Sequence, residues 1–155
     1  MQNIKSILVP VDFSEGSKEA FRYALFLAEQ WNASIRVLFV WQRPFYLGPK
    51  LVVSSAEGAD ISLEELASKE AQAELEKFIA KEKTSVPVTS QLVEGIIDTE
   101  IIRISQEGKF DLIVLGSHGE SGRRHWILGS VAKRVVRSAS CPVCVFKSPE
   151  GGDES

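Results

Sequence analysis

Residues 5–12 read Lys5-Ser6-Ile7-Leu8-Val9-Pro10-Val11-Asp12, and residues 111–116 read Asp111-Leu112-Ile113-Val114-Leu115-Gly116. In both stretches the apolar residues run without a polar break, where a half-exposed strand would alternate. Such a run belongs to a strand covered on both faces, the mark of a parallel sheet held between layers of helix. Pro10 offers a ladder no N–H, so it fits only near the end of its strand.

Outward from these two strands, helix and strand patterns alternate. Ser14 is placed to cap a helix with Glu15 in its first turn, and Ala20, Phe21, Ala24, Leu25 and Ala28 recur at helical spacing until about Asn32. Ile35 to Trp41 is a second apolar strand. Residues 42–61 show no period and contain Pro44, Gly48, Pro49 and Gly58, which predicts a long irregular loop, mobile or functional. Ser62 with Glu65 makes a capping box for a helix whose stripe is Leu63, Leu66, Ala67, Ala71, Leu75, Phe78 and Ile79. In Val86 to Glu94, Val86, Val88 and Leu92 alternate with polar residues, which predicts an edge strand. Asp98 is expected to cap a short helix carrying Ile101, Ile102 and Ser105. A helix from about Ser130 to Ala139 and a strand from Val143 to Phe146 complete the chain.

Five strands separated by four helices predict an α/β fold, an open five-stranded parallel sheet with helices on both faces, because right-handed crossovers place cover on each side. With the most apolar strands, the first and fourth, in the centre, the expected order is 3-2-1-4-5, a Rossmann-like arrangement. Ligands of such sheets sit beyond the carboxyl ends of the strands where the winding reverses. That places Asp12-Phe13-Ser14 opposite the loop that begins at Gly116.

The 155 residues fit one domain, and 44% hydrophobic with 25% charged residues is the composition of a globular chain. The net charge of −3 equals the charge of Glu150, Asp153 and Glu154, so residues 1–147 sum to zero. A neutral body argues against binding nucleic acid through bulk electrostatics. No run approaches the ~18 apolar residues of a membrane span, and no secretory signal pattern opens the chain, so a cytosolic protein is expected. Cys141 and Cys144 form a CxxC, but within a strand their side chains point to opposite faces, about 10 Å apart and beyond disulfide reach. Both are expected to be reduced and free of metal.

The chemistry concentrates in Gly116-Ser117-His118-Gly119-Glu120-Ser121-Gly122-Arg123-Arg124-His125-Trp126-Ile127-Leu128-Gly129-Ser130. Glycines between a buried strand and a helix let main-chain N–H groups approach an anion, and the helix start adds free N–H groups and its positive dipole end. From Gly116 to Ser140 the charge is +4, from Arg123, Arg124, Lys133, Arg134 and Arg137 less Glu120. A phosphate is the fitting ligand. There is no GxxxxGK[ST] and no GxGxxG after the first strand, which removes the ordinary NTPase and dehydrogenase readings. His118 and His125, seven apart with no third ligand, make a weak metal site, and Trp126 reads as packing.

The spacing Gly116, two residues, Gly119, nine residues, Gly129-Ser130 resembles the G-x2-G-x9-G-[S/T] signature of the ATP-binding branch of the universal stress proteins. Ile4 to Asp12, and Gly129-Ser130-Val131-Ala132-Lys133-Arg134-Val135 through Cys141-Pro142-Val143, are similar to that family's opening strand and closing helix and strand. The resemblance spans residues 3–147 and implies one nucleotide-binding domain, with 148–155 left as a disordered acidic tail. It implies ATP with Mg²⁺ as the ligand: Asp12 on the ribose hydroxyls, Pro10 and Val11 lining the base pocket, and the Val40 main chain reading adenine. Gly116, Gly119, Gly129, Ser130 and Val131 would hold the phosphates. Glu120 departs from this logic, since a carboxylate beside phosphates must point away or bind Mg²⁺. The resemblance also implies a homodimer through the last strand, whose free edge would otherwise be a pairing liability. The function implied is an ATP-binding regulatory protein of the stress response. A slow ATPase or phosphotransferase is the enzymatic alternative, disfavoured by the lack of an evident base, phosphate lysine or carboxylate pair. A dimeric interaction module without nucleotide is the third.

Overall fold

The computed structural model describes residues 3–42, 52–54, 58, 60–117 and 129–147. Its elements in chain order are β1 (Ser6–Pro10), α1 (Glu15–Trp31), β2 (Ser34–Trp41), β3 (Val52–Ser54), β4 (Asp60–Ser62), α2 (Leu63–Ala80), β5 (Val88–Glu94), α3 (Ile97–Glu107), β6 (Leu112–Gly116), α4 (Ser130–Ser138) and β7 (Val143–Phe146). The main sheet runs β5-β2-β1-β6-β7, all parallel, which is the expected 3-2-1-4-5 once β3 and β4 are left out of the count. β5 is an edge strand, as its alternating pattern predicts.

The strands divide their side chains between two cores. Ile7, Val9, Val11, Ile35, Val37, Leu112 and Val114 pack under Ala20, Phe21, Ala24, Leu25 and Ala28 of α1 and Leu75 and Phe78 of α2. Leu8, Leu38, Val40, Ile113 and Leu115 pack under Ile101 and Ile104 of α3 and Ala132 and Val135 of α4. Alternate residues of one strand therefore bury on opposite faces, which is why β1 and β6 show no polar interruption. Ile7, Leu8, Val9, Ile113 and Val114 are wholly inaccessible to solvent.

Caps follow the sequence signals in most places. Ser14 caps α1 through its side chain, accepting from the Ser17 N–H, and Asn32 closes the helix in the left-handed conformation at φ 56°. The Ser62 capping box is formed in both directions. Two expectations fail. Asp98 does not cap α3: the helix begins at Ile97, its N-cap is Ile96, and Asp98 lies in the first turn, where a carboxylate favours the helix dipole without closing a cap bond. Ile97 N–H instead meets the Gln42 side chain at 3.4 Å. The span 42–61 is not wholly irregular either, for β3 and β4 form an antiparallel hairpin with Val52 opposite Ser62. Three-residue strands are too short to display a period, so the pattern gives no warning of them.

Candidate functional site

The opening at the switch point follows from the ladder. In a parallel strand successive residues direct their N–H and C=O groups to alternate neighbours. Val11 N–H donates to Leu38 C=O on the β2 side at 2.9 Å, so the nitrogen of Pro10 faces β6, where it has no hydrogen to give. Pairing between β1 and β6 accordingly ends at Leu8 with Ile113. β1 stays with β2 through Pro10 with Leu38, while β6 stays with β7 through Gly116 with Phe146. The pairing of the two central strands thus stops short of their carboxyl ends, and the crevice expected at this break in the ladder is bounded by Pro10-Val11-Asp12 on one side and Gly116-Ser117 on the other.

Asp12 is held in the turn leaving β1. Its Oδ1 accepts from Ser17 Oγ at 2.7 Å and from Ser14 N–H at 3.0 Å, and its own N–H donates to Ser17 Oγ at 2.9 Å. Ser17 N–H donates to Ser14 Oγ at 3.2 Å, closing a ring of four bonds over Asp12, Ser14 and Ser17. Among the described residues nothing meets Asp12 Oδ2, which remains an open acceptor. Between Asp12 and Ser14, Phe13 sits at φ 66°, a left-handed conformation that a bulky residue rarely adopts. Its ring stacks on Phe39 at 4.7 Å and meets Phe78 edge-on at 5.7 Å, so packing from β2 and α2 holds the strained turn in place.

Val40 closes the second wall. Ile35 N–H donates toward the β5 side, to Pro87, and Leu38 C=O accepts from β1, so the even-numbered residues of β2 face β1. The main-chain groups of Val40 therefore point toward β1 at a level beyond its last rung, where the ladder has no partner for them.

At the third wall, Ser117 N–H donates to Phe146 C=O at 3.0 Å and Ser117 C=O accepts from Gly129 N–H at 2.7 Å, which seats the start of α4 directly above the end of β6. Ser117 is 3% exposed. Gly129 is the N-cap of α4, with φ −67° and ψ 161°, and no side chain caps the helix. That backbone is open to any residue, so glycine is not demanded here by conformation. Since Gly129 N–H is committed to Ser117, the donors left at the helix start among the described residues are those of Ser130, Val131 and Ala132. No acidic residue lies in the first turn of α4, whose exposed side carries Lys133, Arg134 and Arg137. Arg134 is 3.7 Å from Asp98 across to α3.

Of the sequence-derived site residues, Pro10, Val11, Asp12, Val40, Gly116, Gly129, Ser130 and Val131 all fall at the carboxyl ends of β1, β2 and β6 or at the start of α4. Gly119 lies outside the described residues, as do His118, Glu120, His125, Trp126 and the acidic tail. Ser17, Phe13 and Ser117 were not singled out in the sequence. The signal for Ser17 was present: Asp-x-Ser-x-x-Ser at a strand-to-helix turn is the spacing of an Asx turn followed by an N-cap.

Cys141 and Cys144 are free thiols on opposite faces of the sheet, Cys141 packed with the α3/α4 core and Cys144 with the α1/α2 core. Burial pushes both thiols up from their ordinary value, with the Asp111 carboxylate adding to the rise at Cys141. Among the described residues no three His, Cys, Asp or Glu side chains cluster as a metal site, and no helix is long and apolar enough to cross a membrane.

The universal stress protein family profile matches residues 3–147. The chain is 34% identical over 147 residues to the universal stress protein MJ0531 of Methanocaldococcus jannaschii, covering 94% of this chain and 84% of that one. It superposes on the solved structure of protein MJ0577 with a TM-score of 0.78 at 26% identity, covering 99% and 100% of the two chains. A universal stress protein from Archaeoglobus fulgidus, solved in complex with dAMP, shares the fold with a TM-score of 0.62 at 20% identity over 94% of this chain and 100% of that one.

Proposed function

Because the chain belongs to the universal stress protein family, we propose that it is an ATP-binding regulatory protein of the stress response, holding the nucleotide in the crevice between β1 and β6. The observation that carries this reading is the convergence of three kinds of unspent group at one place. These are an open carboxylate oxygen on Asp12, the main-chain groups of Val40 beyond the last rung, and the N–H groups of Ser130, Val131 and Ala132 at an uncapped helix start. They match ribose, base and phosphates respectively, and the strand order β2-β1-β6 sets the ribose acceptor between the other two, as the covalent order of a nucleotide requires. Pro10 and Val11 form the floor beside the base, and the absence of a side chain at Gly129 lets phosphate oxygens approach the helix end.

Gly116 and Gly119 extend the phosphate cradle in this reading. Mg²⁺, when bound with the nucleotide, would neutralise phosphate charge, and no cluster of three carboxylate, histidine or cysteine side chains among the described residues offers it a site of its own. The protein acts in the cytosol as a single domain, residues 3–147, with 148–155 as an acidic tail. It pairs with a second copy along the free edge of β7. Its output is a nucleotide-dependent surface rather than rapid turnover.

Thermal unfolding with and without ATP and Mg²⁺ tests the reading. At one hundred times the dissociation constant the ligand adds about 2.7 kcal/mol, which at roughly 2–4 °C per kcal/mol for this chain length raises the melting temperature by roughly 5–10 °C. Gly129→Val should fold normally, since its φ and ψ suit valine, yet show no shift because the side chain occupies the phosphate approach. A wild-type protein that melts at one temperature with or without millimolar ATP would refute the proposal.

A further inference from the structure

We infer that Ser17 is a positioning residue for the ribose site, acting on the nucleotide only through the Asp12 carboxylate. The inference deepens the proposed function and rests on its assignment of the ribose hydroxyls to Asp12. A carboxylate at the lip of a crevice has two freedoms, rotation about its side-chain torsions and exchange of its two oxygens. Each must be lost when a sugar binds. Ser17 removes both in advance. Its hydroxyl donates to Oδ1 at 2.7 Å while accepting the main-chain N–H of the same aspartate at 2.9 Å, so the acid is gripped at side chain and backbone by one atom. Ser14 N–H adds a second bond to Oδ1. With Oδ1 doubly engaged, Oδ2 is the oxygen left to accept from a ligand.

The geometry has the character of a built clasp. Ser17 lies on the first turn of α1 and is 6% exposed, so water does not compete for its hydroxyl. The turn that brings Asp12 within its reach requires a left-handed Phe13, a strained conformation for an L-residue. Such strain persists where surrounding contacts over-determine it, and the stacks on Phe39 and Phe78 provide them. A helix start needing only a cap has one in Ser14, so capping does not account for Ser17.

The test compares three probes by calorimetry: ATP, 2′,3′-dideoxy-ATP and inorganic tripolyphosphate. The wild type should prefer ATP over the dideoxy compound. Ser17→Ala should lose about tenfold in ATP affinity, the effect of one misplaced charge-assisted bond, and nearly all of that preference, with tripolyphosphate affinity unchanged. In an Asp12→Ala background the same substitution should have no further effect on ATP. If the wild type binds ATP but makes no distinction between ATP and the dideoxy compound, the assignment of Asp12 to ribose falls, and this inference with it. If the wild type discriminates and Ser17→Ala discriminates equally, or if the two substitutions add, the positioning role is overturned while the assignment stands. Ser17→Cys, close in volume but a poor hydrogen-bond donor, should also lose the preference. It decides the matter if the alanine variant does not fold at the titration temperature.

Discussion

Replacing Asp12 by alanine should weaken the fold itself, before any ligand is added. The substitution removes two hydrogen bonds to an ionised acceptor, from Ser17 Oγ at 2.7 Å and Ser14 N–H at 3.0 Å. Bonds to charged groups are worth about 1.5–3 kcal/mol each. The Ser14 N–H lies in a half-buried turn where water can replace the lost partner, so it counts at the low end. The Ser17 hydroxyl, buried beneath the turn, retains only the bond it accepts and leaves its hydrogen without a partner. Little of the loss returns through relaxation of Phe13, whose ring stays packed on Phe39 and Phe78. The sum is a destabilisation of about 2–4 kcal/mol. Urea unfolding of the nucleotide-free protein, followed by circular dichroism, should show the midpoint falling by about 1–2 M at an m-value near 2 kcal/mol/M. Asp12→Asn keeps an oxygen in the Oδ1 position and loses only the charge, so it should cost about 1 kcal/mol. An alanine variant unfolding within about 0.3 M of the wild type, or an asparagine variant as weak as alanine, would show that the ring of bonds does not hold the turn.

The left-handed Phe13 predicts an inversion of the usual ranking. Phe13→Gly should be more stable than Phe13→Ala by about 0.5–1 kcal/mol, because glycine alone escapes the left-handed penalty; equal stabilities would mean the turn relaxes freely, and urea midpoints of the two variants decide. For the cysteines, a thiol value raised in the folded state stabilises the fold at pH below the ordinary thiol range, and that contribution is lost as pH rises through the raised values. Alkylation of native protein, followed by mass spectrometry, should therefore be slow at neutral pH and accelerate with an inflection above that of free cysteine. An inflection below neutrality would contradict the burial of both thiols.

The order of the five-stranded sheet was legible because β1 and β6 bury both faces, and a strand with no wet side leaves no doubt about its place in the middle. The edge position of β5 was legible for the opposite reason. The start of α3 was not, because its N-cap is Ile96, which has no capping side chain, and the Ile97 N–H meets Gln42 from the residue just after β2. A partner fifty-five residues away leaves no local pattern. The placement of the candidate residues was legible, as a carboxylate after one central strand and a glycine before a helix. The division of labour among them was not. Gly129 reads in the sequence as a phosphate donor, but its N–H is committed to Ser117, and only the fold reveals that tie. Likewise, glycine at position 129 looks like a conformational need until φ and ψ show a backbone that any residue adopts.

The Ser117 tie also bears on how such a domain is able to change over evolutionary time. The chain departs from β6 and returns to α4 through adjoining residues joined by a 2.7 Å hydrogen bond, so the frame is closed without reference to what runs between positions 117 and 129. Lengthening an excursion whose ends already meet costs little, about 0.6 kcal/mol for each doubling. Insertions, deletions and wholesale exchange of that segment are therefore tolerable to the sheet. Chimaeras that transplant 118–128 between relatives should inherit the host's stability and the donor's chemistry.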